Sequence, residues 1–446
     1  MFFCGLITCR YQPACHLNAV RLLPPTGPIR ATIPLASSKS ESNRALILDA
    51  LTGFRCDLQN LSTARDTQTM IRLLKSTDPT ADVLDAGTTM RFLTAYFAIR
   101  GRATNGPAVT SQQKTMTGAP RMCERPIGIL VDALRTLGAN ITYLNNDGYP
   151  PLQLNGFQYA GINHVSIRGD VSSQYISALL MIAPLLPDGL ILHLTGAIGS
   201  RPYIEMTIEQ MRYFGATVTP DWVARTITVA PKPYVSKPYQ IESDWSGASY
   251  WYSMVALAND EQTEIELLGL KPNSLQGDSA IADIMRPLGV VSLFTDRGVR
   301  LTKGPTEPSL AWDFTHCPDL AQTVAVCAAI KRTALTLTGI ESLKIKETDR
   351  VLALQNELRK VGADLVEVEK NHRYEIRLVS APSSLPVRIY TYDDHRMAMA
   401  FAPVAMQREI VIEEPRVVDK SYPSFWDDMA RVVTVEFLDE DLKPPA

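Results

Sequence analysis

Residues 346–362 read Lys346-Glu347-Thr348-Asp349-Arg350-Val351-Leu352-Ala353-Leu354-Gln355-Asn356-Glu357-Leu358-Arg359-Lys360-Val361-Gly362. Val351, Leu354, Leu358 and Val361 recur at helical spacing, and Gly362 is a helix stop. Asp349 and Thr348 fit a helix start, where carboxylates and hydroxyls satisfy free N–H groups. Lys346 and Arg350 do not fit it, because cations belong at the other end of a helix. Two cations around Glu347 at an N-terminus suggest a bound anion and a proton-transfer group.

The end of this stretch recurs. An aliphatic or small residue, arginine, any residue and an apolar residue, often followed by glycine, make up each copy. The others are Ile71-Arg72-Leu73-Leu74-Lys75, Leu134-Arg135-Thr136-Leu137-Gly138, Met211-Arg212-Tyr213-Phe214-Gly215, Met285-Arg286-Pro287-Leu288-Gly289 and a degenerate Ala430-Arg431-Val432-Val433-Thr434. The arginines stand about 63 residues apart at the first step and about 72–77 thereafter, a structural period. A second series interleaves with the first. Asp85, Asp170, Asp244, Asp319 and Asp394 each lead into a small, apolar helix, and Ser38-Lys39-Ser40 opens a sixth in a shorter first unit. Between them lie β-rich runs such as Ile191-Leu192-His193-Leu194 and Tyr374-Glu375-Ile376-Arg377-Leu378.

Each unit therefore reads as strands around two helices, one apolar and hence buried, one amphipathic. Six units predict an α/β (α+β) chain with sheets outside helices, in two lobes of three. Pro231, Pro233 and Pro238 mark a break. Three whole units then fit into 38–243, and the strand before Ser37 joins 244–446 in the second lobe.

Bulk properties restrict the function. The chain has 446 residues, 46% apolar and 20% charged, with net charge −3. No global basic bias points to nucleic acid or an acidic membrane, and no apolar run approaches the length of a membrane span. Seven scattered cysteines, Cys4 and Cys9 among them, lack metal spacing and suit reduced cytosolic thiols. Met1 to Thr8 reads as an N-terminal extension rather than a signal peptide.

Unusual residues gather at the helix starts: Lys39, Ser40 and Arg44; Arg91; Arg125 before Pro126; Ser172, Ser173 and Gln174; Ser200, Arg201 and Tyr203; Asp319; Lys346 to Arg350; Arg396; Lys420. If they converge, they form a cleft for polyanions, with arginine suited to bidentate carboxylate and phosphate contacts. Asp319 and Glu347 stand out as proton handlers. His395 and His316 read as structural or orienting, and Cys123, Cys317 and Cys327 as small apolar residues. There is no P-loop and no dinucleotide fingerprint, so neither ATP nor a nicotinamide is implied.

Ser38-Lys39-Ser40-Glu41-Ser42-Asn43-Arg44, Asp85-Ala86-Gly87-Thr88-Thr89-Met90-Arg91, Glu124-Arg125-Pro126-Ile127-Gly128, Lys346-Glu347-Thr348-Asp349-Arg350 and Asp394-His395-Arg396-Met397-Ala398-Met399 resemble the signatures of the 3-phosphoshikimate 1-carboxyvinyltransferase (EPSP synthase) family. The resemblance runs in order from Ser37 to the end. It implies a two-domain inside-out α/β barrel, each domain of three βαβαββ units, with the active site between them. It implies attack of the 5-hydroxyl of shikimate 3-phosphate on C2 of phosphoenolpyruvate, protonation at C3, and loss of phosphate. No metal or organic cofactor is implied.

By the same resemblance, Lys39, Ser40, Arg44, Ser172, Ser173, Ser200, Tyr203, Asp319, Ser342 and Lys346 contact shikimate 3-phosphate. Lys39, Gly87, Arg125, Gln174, Arg350, Arg396 and Lys420 contact phosphoenolpyruvate. Asp319 is the base for the 5-hydroxyl, and Glu347, with Lys39, carries the proton at C3. Asp85, Phe92 and Cys123 depart from the commoner pattern, and Ser342 stands where asparagine is frequent. Gly87 keeps the glycine that leaves room for a phosphonate, so glyphosate is an expected inhibitor. A cytoplasmic monomer without nucleic-acid or membrane partners is expected. The alternatives are the sister transferase acting on UDP-N-acetylglucosamine and a non-catalytic anion-binding paralogue.

Overall fold

The computed structural model describes residues 17–100, 113–379 and 386–439. Met1 to Thr8, with Cys4, and Cys9 lie outside them. Among the described residues are five four-stranded sheets and one two-stranded sheet.

One sheet shows how a unit is built. Strand Thr80–Asp82 leads into helix Gly87–Ile99 and returns as Lys114–Thr117, parallel to the first. Helix Gly128–Leu137 follows, and the hairpin Ala139–Tyr143 and Leu152–Phe157 closes the sheet antiparallel. The order is β-α-β-α-β-β. The sheets of His164–Arg168 and Ser309–Asp313 repeat it. Two further sheets complete it with strands from the start of the chain. Leu17–Leu23 pairs antiparallel with both Ile410–Glu413 and Thr434–Asp439, and Arg30–Ile33 pairs parallel with Glu264–Leu268. The two-stranded sheet, Leu58–Gln59 with Tyr239–Gln240, belongs to the short first unit.

Six buried helices form the interior of the described residues. Lys39–Thr52, Gly87–Ile99 and Ser173–Ile182 pack on one another in a core whose residues run from Leu46 to Tyr234. Trp245–Leu257, Ala321–Lys331 and His395–Phe401 lie in a second core, which also takes Val20, Leu22, Ile29, Ile33 and Leu35. Their composition dictates this. In Trp245–Leu257 the side chains of Trp245, Tyr250, Trp251 and Tyr252 are at most 2% exposed, each burial contributing roughly 1.5–3 kcal/mol. Their polar tips are met where partners exist: Trp245 Nε1 donates to Glu242, and Tyr252 Oη bonds Ser292.

In two of its copies the repeated arginine has a clear structural role. Arg135 donates from Nε and Nη2 to the carbonyl of Ile141, and Arg212 does the same to Val218, each six residues on. The guanidinium thus ties the helix end to the next strand. The following glycine turns the chain there: Gly138 has φ 112°, and a Cβ on it would lie 1.8 Å from the Gln158 carbonyl oxygen. Two amphipathic helices are shorter than their periodicity suggests, Ile281–Ile284 and Phe425–Met429. Pro287 excludes helical continuation in the first, and β-branched Val432 and Val433 follow the second.

The chain passes between the two cores twice, and the passages adjoin. Ser37 and Ser243 form a bridge, Ser38 N donates to the Glu242 carbonyl, and Asp244 N donates to the Ala36 carbonyl. Glu41 ties the first helix to the second passage: its Oε2 accepts from Glu242 N and its Oε1 from Tyr239 Oη.

Candidate active site

Of the five aspartates expected to open helices, only Asp244 and Asp394 cap them, accepting from Gly247 N and Arg396 N. Asp349 caps Arg350–Lys360 through Leu352 N, as its sequence position suggests. Asp170 pairs with Arg168, Asp85 reaches Lys420 across the cleft, and Asp319 turns to Arg350 and Arg396 of its own half. Ser172 takes the cap of Ser173–Ile182 and Ser38 that of Lys39–Thr52. Ser172 thus releases Asp170, whereas the helices after Asp85 and Asp319 start on Ala86 and Leu320 without a side-chain cap.

Arg350 is the hub. It is 2% exposed and meets three carboxylates. Nε donates to Asp394 Oδ2 at 2.7 Å, Nη1 to Asp319 Oδ1 at 2.9 Å, and Nη2 to Glu347 Oε2 at 2.9 Å. Asp319 Oδ2 accepts from Arg396 Nη2 at 2.9 Å, and Lys346 Nζ lies 3.9 Å from Oδ1. Glu347 Oε1 lies 3.5 Å from Lys420 Nζ. Burial pushes the Asp319 carboxyl up, but Arg396, Lys346 and Arg350 outweigh it and hold it far below the usual carboxylate range. The same contest, with Arg350, Lys420 and Arg125 as the cations, holds Glu347 well below its ordinary value.

A cavity between the two halves opens beside this hub. Ser40, Arg44, Ser172, Ser173, Gln174, Ser200, Tyr203 and Arg125 line it from one side, and Asp319, Ser342 and Lys346 from the other. Lys39 and Arg396 border an adjoining small cavity with Asp244 and Tyr250. Most of the sequence-selected residues therefore converge, but Arg201 does not, pairing with Glu205 and lying over the Trp222 ring. Gly87 faces Arg125: a Cβ on it would lie 2.8 Å from Arg125 Nη1. Gln174 Nε2 donates to Thr88 Oγ1 at 3.1 Å. Lys39 Nζ donates to Asp66 Oδ2 at 3.0 Å.

Arg44 is 2% exposed and held by Thr207, Ser177 and the carbonyls of Ser40 and Tyr203. Its guanidinium lies 5.4 Å from the Phe92 ring centre and 5.9 Å from that of Tyr203. Phe92, one of the departures, is thus a wall behind Arg44. Burial lowers Arg44 and Arg91 to about 10, which leaves both charged at neutral pH. Dehydration likewise lowers Lys346, against the pull of Asp319.

Sequence reasoning missed Arg121, Asp278 and Asp66. Arg121 Nε donates across the cleft to the Glu347 carbonyl at 3.3 Å. Asp278 accepts from Tyr203 Oη at 3.0 Å and from Ser246 Oγ. Neither residue sits at a long helix start, the signal used. Asp66 lies in the first turn of an amphipathic helix, where a carboxylate looks ordinary. His395 is buried with no hydrogen-bond partner on either ring nitrogen, and burial, then Lys39 and Arg396, keep it neutral. His316 is exposed. No group of potential metal ligands occurs among the described residues, and no helix there is long and apolar enough to cross a membrane. Cys317 and Cys327 are buried, and burial pushes both thiols up, to about 12 and about 11.

The arrangement can hold two polyanions and move protons between carboxylates set among cations. The model of the family described as EPSP synthase (3-phosphoshikimate 1-carboxyvinyltransferase) matches residues 23–429. A 3-phosphoshikimate 1-carboxyvinyltransferase of Bacteroides fragilis is 47% identical over 413 residues, covering 92% of this chain and 97% of the relative. One of Escherichia coli is 36% identical over 430 residues, covering 92% and 98%. The solved EPSP synthase of Acinetobacter baumannii superposes with a TM-score of 0.72 at 18% identity, over 94% of this chain and all of that one, a likeness of fold.

Proposed function

The chain belongs to the EPSP synthase family, and from that premise we propose that it transfers the enolpyruvyl group of phosphoenolpyruvate to the 5-hydroxyl of shikimate 3-phosphate. The products are 5-enolpyruvylshikimate 3-phosphate and phosphate, on the shikimate route to chorismate and aromatic amino acids. The observation that carries the reading is Arg350 joined at once to Asp319 and Glu347 beside a cleft of cations.

In this reading Asp319 accepts the proton of the 5-hydroxyl while its oxygen bonds to C2 of phosphoenolpyruvate. Glu347, with Lys39, delivers a proton to C3, giving a methyl group and a tetrahedral adduct. The C2–O bond to phosphate then breaks, and C3 returns a proton to restore the vinyl group. Glu347 is ionised beside Arg350, Lys420 and Arg125. An incoming polyanion takes over the field of those cations and raises Glu347 towards proton-transfer range. Lys39, Ser40, Arg44, Ser172, Ser173, Ser200, Tyr203, Ser342 and Lys346 hold shikimate 3-phosphate. Gly87, Arg125, Gln174, Arg396 and Lys420, with Lys39 and Arg350, hold phosphoenolpyruvate.

The domains in this reading are 38–243, and 1–37 with 244–446. The two separate cores and the adjoining passages at Ser37 and Ser243 support that division. Closure about those passages excludes water from the charges. The enzyme acts as a cytoplasmic monomer without a cofactor, and glyphosate inhibits it through the space beside Gly87.

The test is phosphate release from phosphoenolpyruvate with shikimate 3-phosphate or UDP-N-acetylglucosamine as acceptor. Release with the first alone is expected. Release with the second alone would move the assignment to the sister transferase. Release with neither, in folded protein, would leave an anion-binding paralogue.

A further inference from the structure

Lys420 is 2% exposed, and its ammonium is engaged on three sides. Nζ donates to Asp85 Oδ2 at 2.9 Å and to the Asp85 carbonyl at 3.0 Å, and Glu347 Oε1 stands at 3.5 Å. An ammonium has three protons, and Asp85 alone takes two of them. Asp85 comes from the turn before Gly87–Ile99, in the half of the molecule opposite Lys420. It is anchored there, because Arg65 Nη2 donates to the same Oδ2 at 2.8 Å. Swinging away from Lys420 therefore strains a second ion pair.

We propose that Asp85 is a specificity-determining residue that competes with the anionic substrate for Lys420 and so sets how tightly phosphoenolpyruvate is held. An anion arriving at Lys420 must share its ammonium with a carboxylate fixed by Arg65. The fixed carboxylate also repels the incoming charge, which a neutral amide of the same shape would not. The competition bears on phosphoenolpyruvate, since Lys420 is assigned to it alone and Asp85 is not among the residues lining the cavity of Ser40 and Arg44. Asp85 thus acts through Lys420 as a positioning residue. The pair feels the competition on both sides: despite burial, Lys420 and Arg65 hold Asp85 below the usual range, and Glu347, Asp66 and Asp85 raise Lys420.

The proposal rests on the reaction assigned above, and two measurements separate the two. In the first, phosphate release is followed against phosphoenolpyruvate for the natural protein, Asp85→Asn and Asp85→Ala. Asp85→Asn keeps an acceptor oxygen for Lys420 and removes the charge. Its KM for phosphoenolpyruvate is expected to fall about threefold to fivefold, the scale of one part-exposed charge pair. Its kcat is expected to move less, and its KM for shikimate 3-phosphate to stay. A purely structural role predicts a KM that rises in both variants, and an unchanged or raised KM in Asp85→Asn overturns the proposal. The second measurement needs no turnover. The full-length protein without substrates is reductively methylated with formaldehyde and cyanoborohydride, and Lys420 is followed by peptide mass spectrometry. Losing Asp85's charge is expected to speed Lys420 labelling, and equal rates in the natural protein and Asp85→Asn overturn the pairing. A natural protein that releases no phosphate overturns the assigned reaction instead, and the labelling rates still decide the ion pair.

Discussion

Arg350 donates to Asp319 at 2.9 Å from a position that is 2% exposed, so the candidate base is fixed by a guanidinium that water barely reaches. The same guanidinium holds Glu347 and the fully buried Asp394. One cation therefore orients both candidate proton handlers and the cap of the His395–Phe401 helix. Its planar fork makes this possible, and a lysine ammonium could not span the three carboxylates.

Arg350→Met removes that charge and keeps an unbranched side chain of comparable reach. It is expected to lose about 3–5 kcal/mol of stability at pH 7.5, because the buried Asp394 loses its ion pair while Asp319 keeps only Arg396 and Lys346 and Glu347 only Lys420 and Arg125. Asp319 and Glu347 lose one of the cations that hold them below the usual range, so the stability they add above the ordinary carboxylate pKa shrinks, and the difference from the natural protein should narrow at about pH 3. Urea denaturation at both pH values measures this. A loss below 1 kcal/mol at pH 7.5 would contradict the hub.

Gly87→Ala places a methyl 2.8 Å from Arg125 Nη1 at the start of a helix whose backbone accepts alanine. The guanidinium, at the free end of a flexible side chain, must give way. The expected result is a KM for phosphoenolpyruvate raised about tenfold, one misplaced charge-assisted contact, with little change in thermal stability. Glyphosate inhibition should weaken at least as much. Steady-state kinetics with and without the inhibitor check both, and an inhibition constant in the natural protein far above its KM for phosphoenolpyruvate would remove glyphosate from the account.

Asp244 offers a pH signature. Burial, its largest influence, pushes the carboxyl up to about 6, with Arg396 opposing. Its folded pKa lies above the unfolded value, so its contribution is fully present below about pH 4 and is lost as pH rises through 6. Asp244→Asn keeps the cap on Gly247 N, since asparagine caps as well as aspartate. The stability of the variant relative to the natural protein should therefore improve by about 2–3 kcal/mol between pH 4 and pH 7.5. A difference flat across that range would contradict a buried, ionising Asp244.

The sixfold count was legible because each unit repeats two signals, a buried apolar helix and an arginine at the end of an amphipathic one. In two copies the arginine serves a purpose the sequence hides: Arg135 and Arg212 each bond a carbonyl six residues ahead, while Arg72 reaches that of Asp82, ten ahead. Convergence of the helix starts was legible as an excess of cations where the helix dipole disfavours them. The partners of those cations were not. Lys39 on Asp66, Lys420 on Asp85 and Arg121 on the Glu347 carbonyl join segments 27, 335 and 226 residues apart, and no local pattern encodes such pairs. The aspartates at the helix starts looked alike in sequence, yet Asp244 and Asp394 cap while Asp319 faces Arg350 and Arg396. Only packing decides between those roles.

Glu347 bears the central claim, that this cluster moves a proton at C3 of phosphoenolpyruvate. The most direct measurement runs the reaction in deuterium oxide with the natural protein and Glu347→Gln, reading deuterium at the vinyl carbon of the product. The natural protein should place deuterium there, since C3 passes through a methyl group. Glu347→Gln should remain folded and lose turnover by about 10²–10⁴-fold, with deuterium incorporation falling in step. Turnover within tenfold of the natural protein, with undiminished incorporation, would contradict Glu347 as the proton carrier.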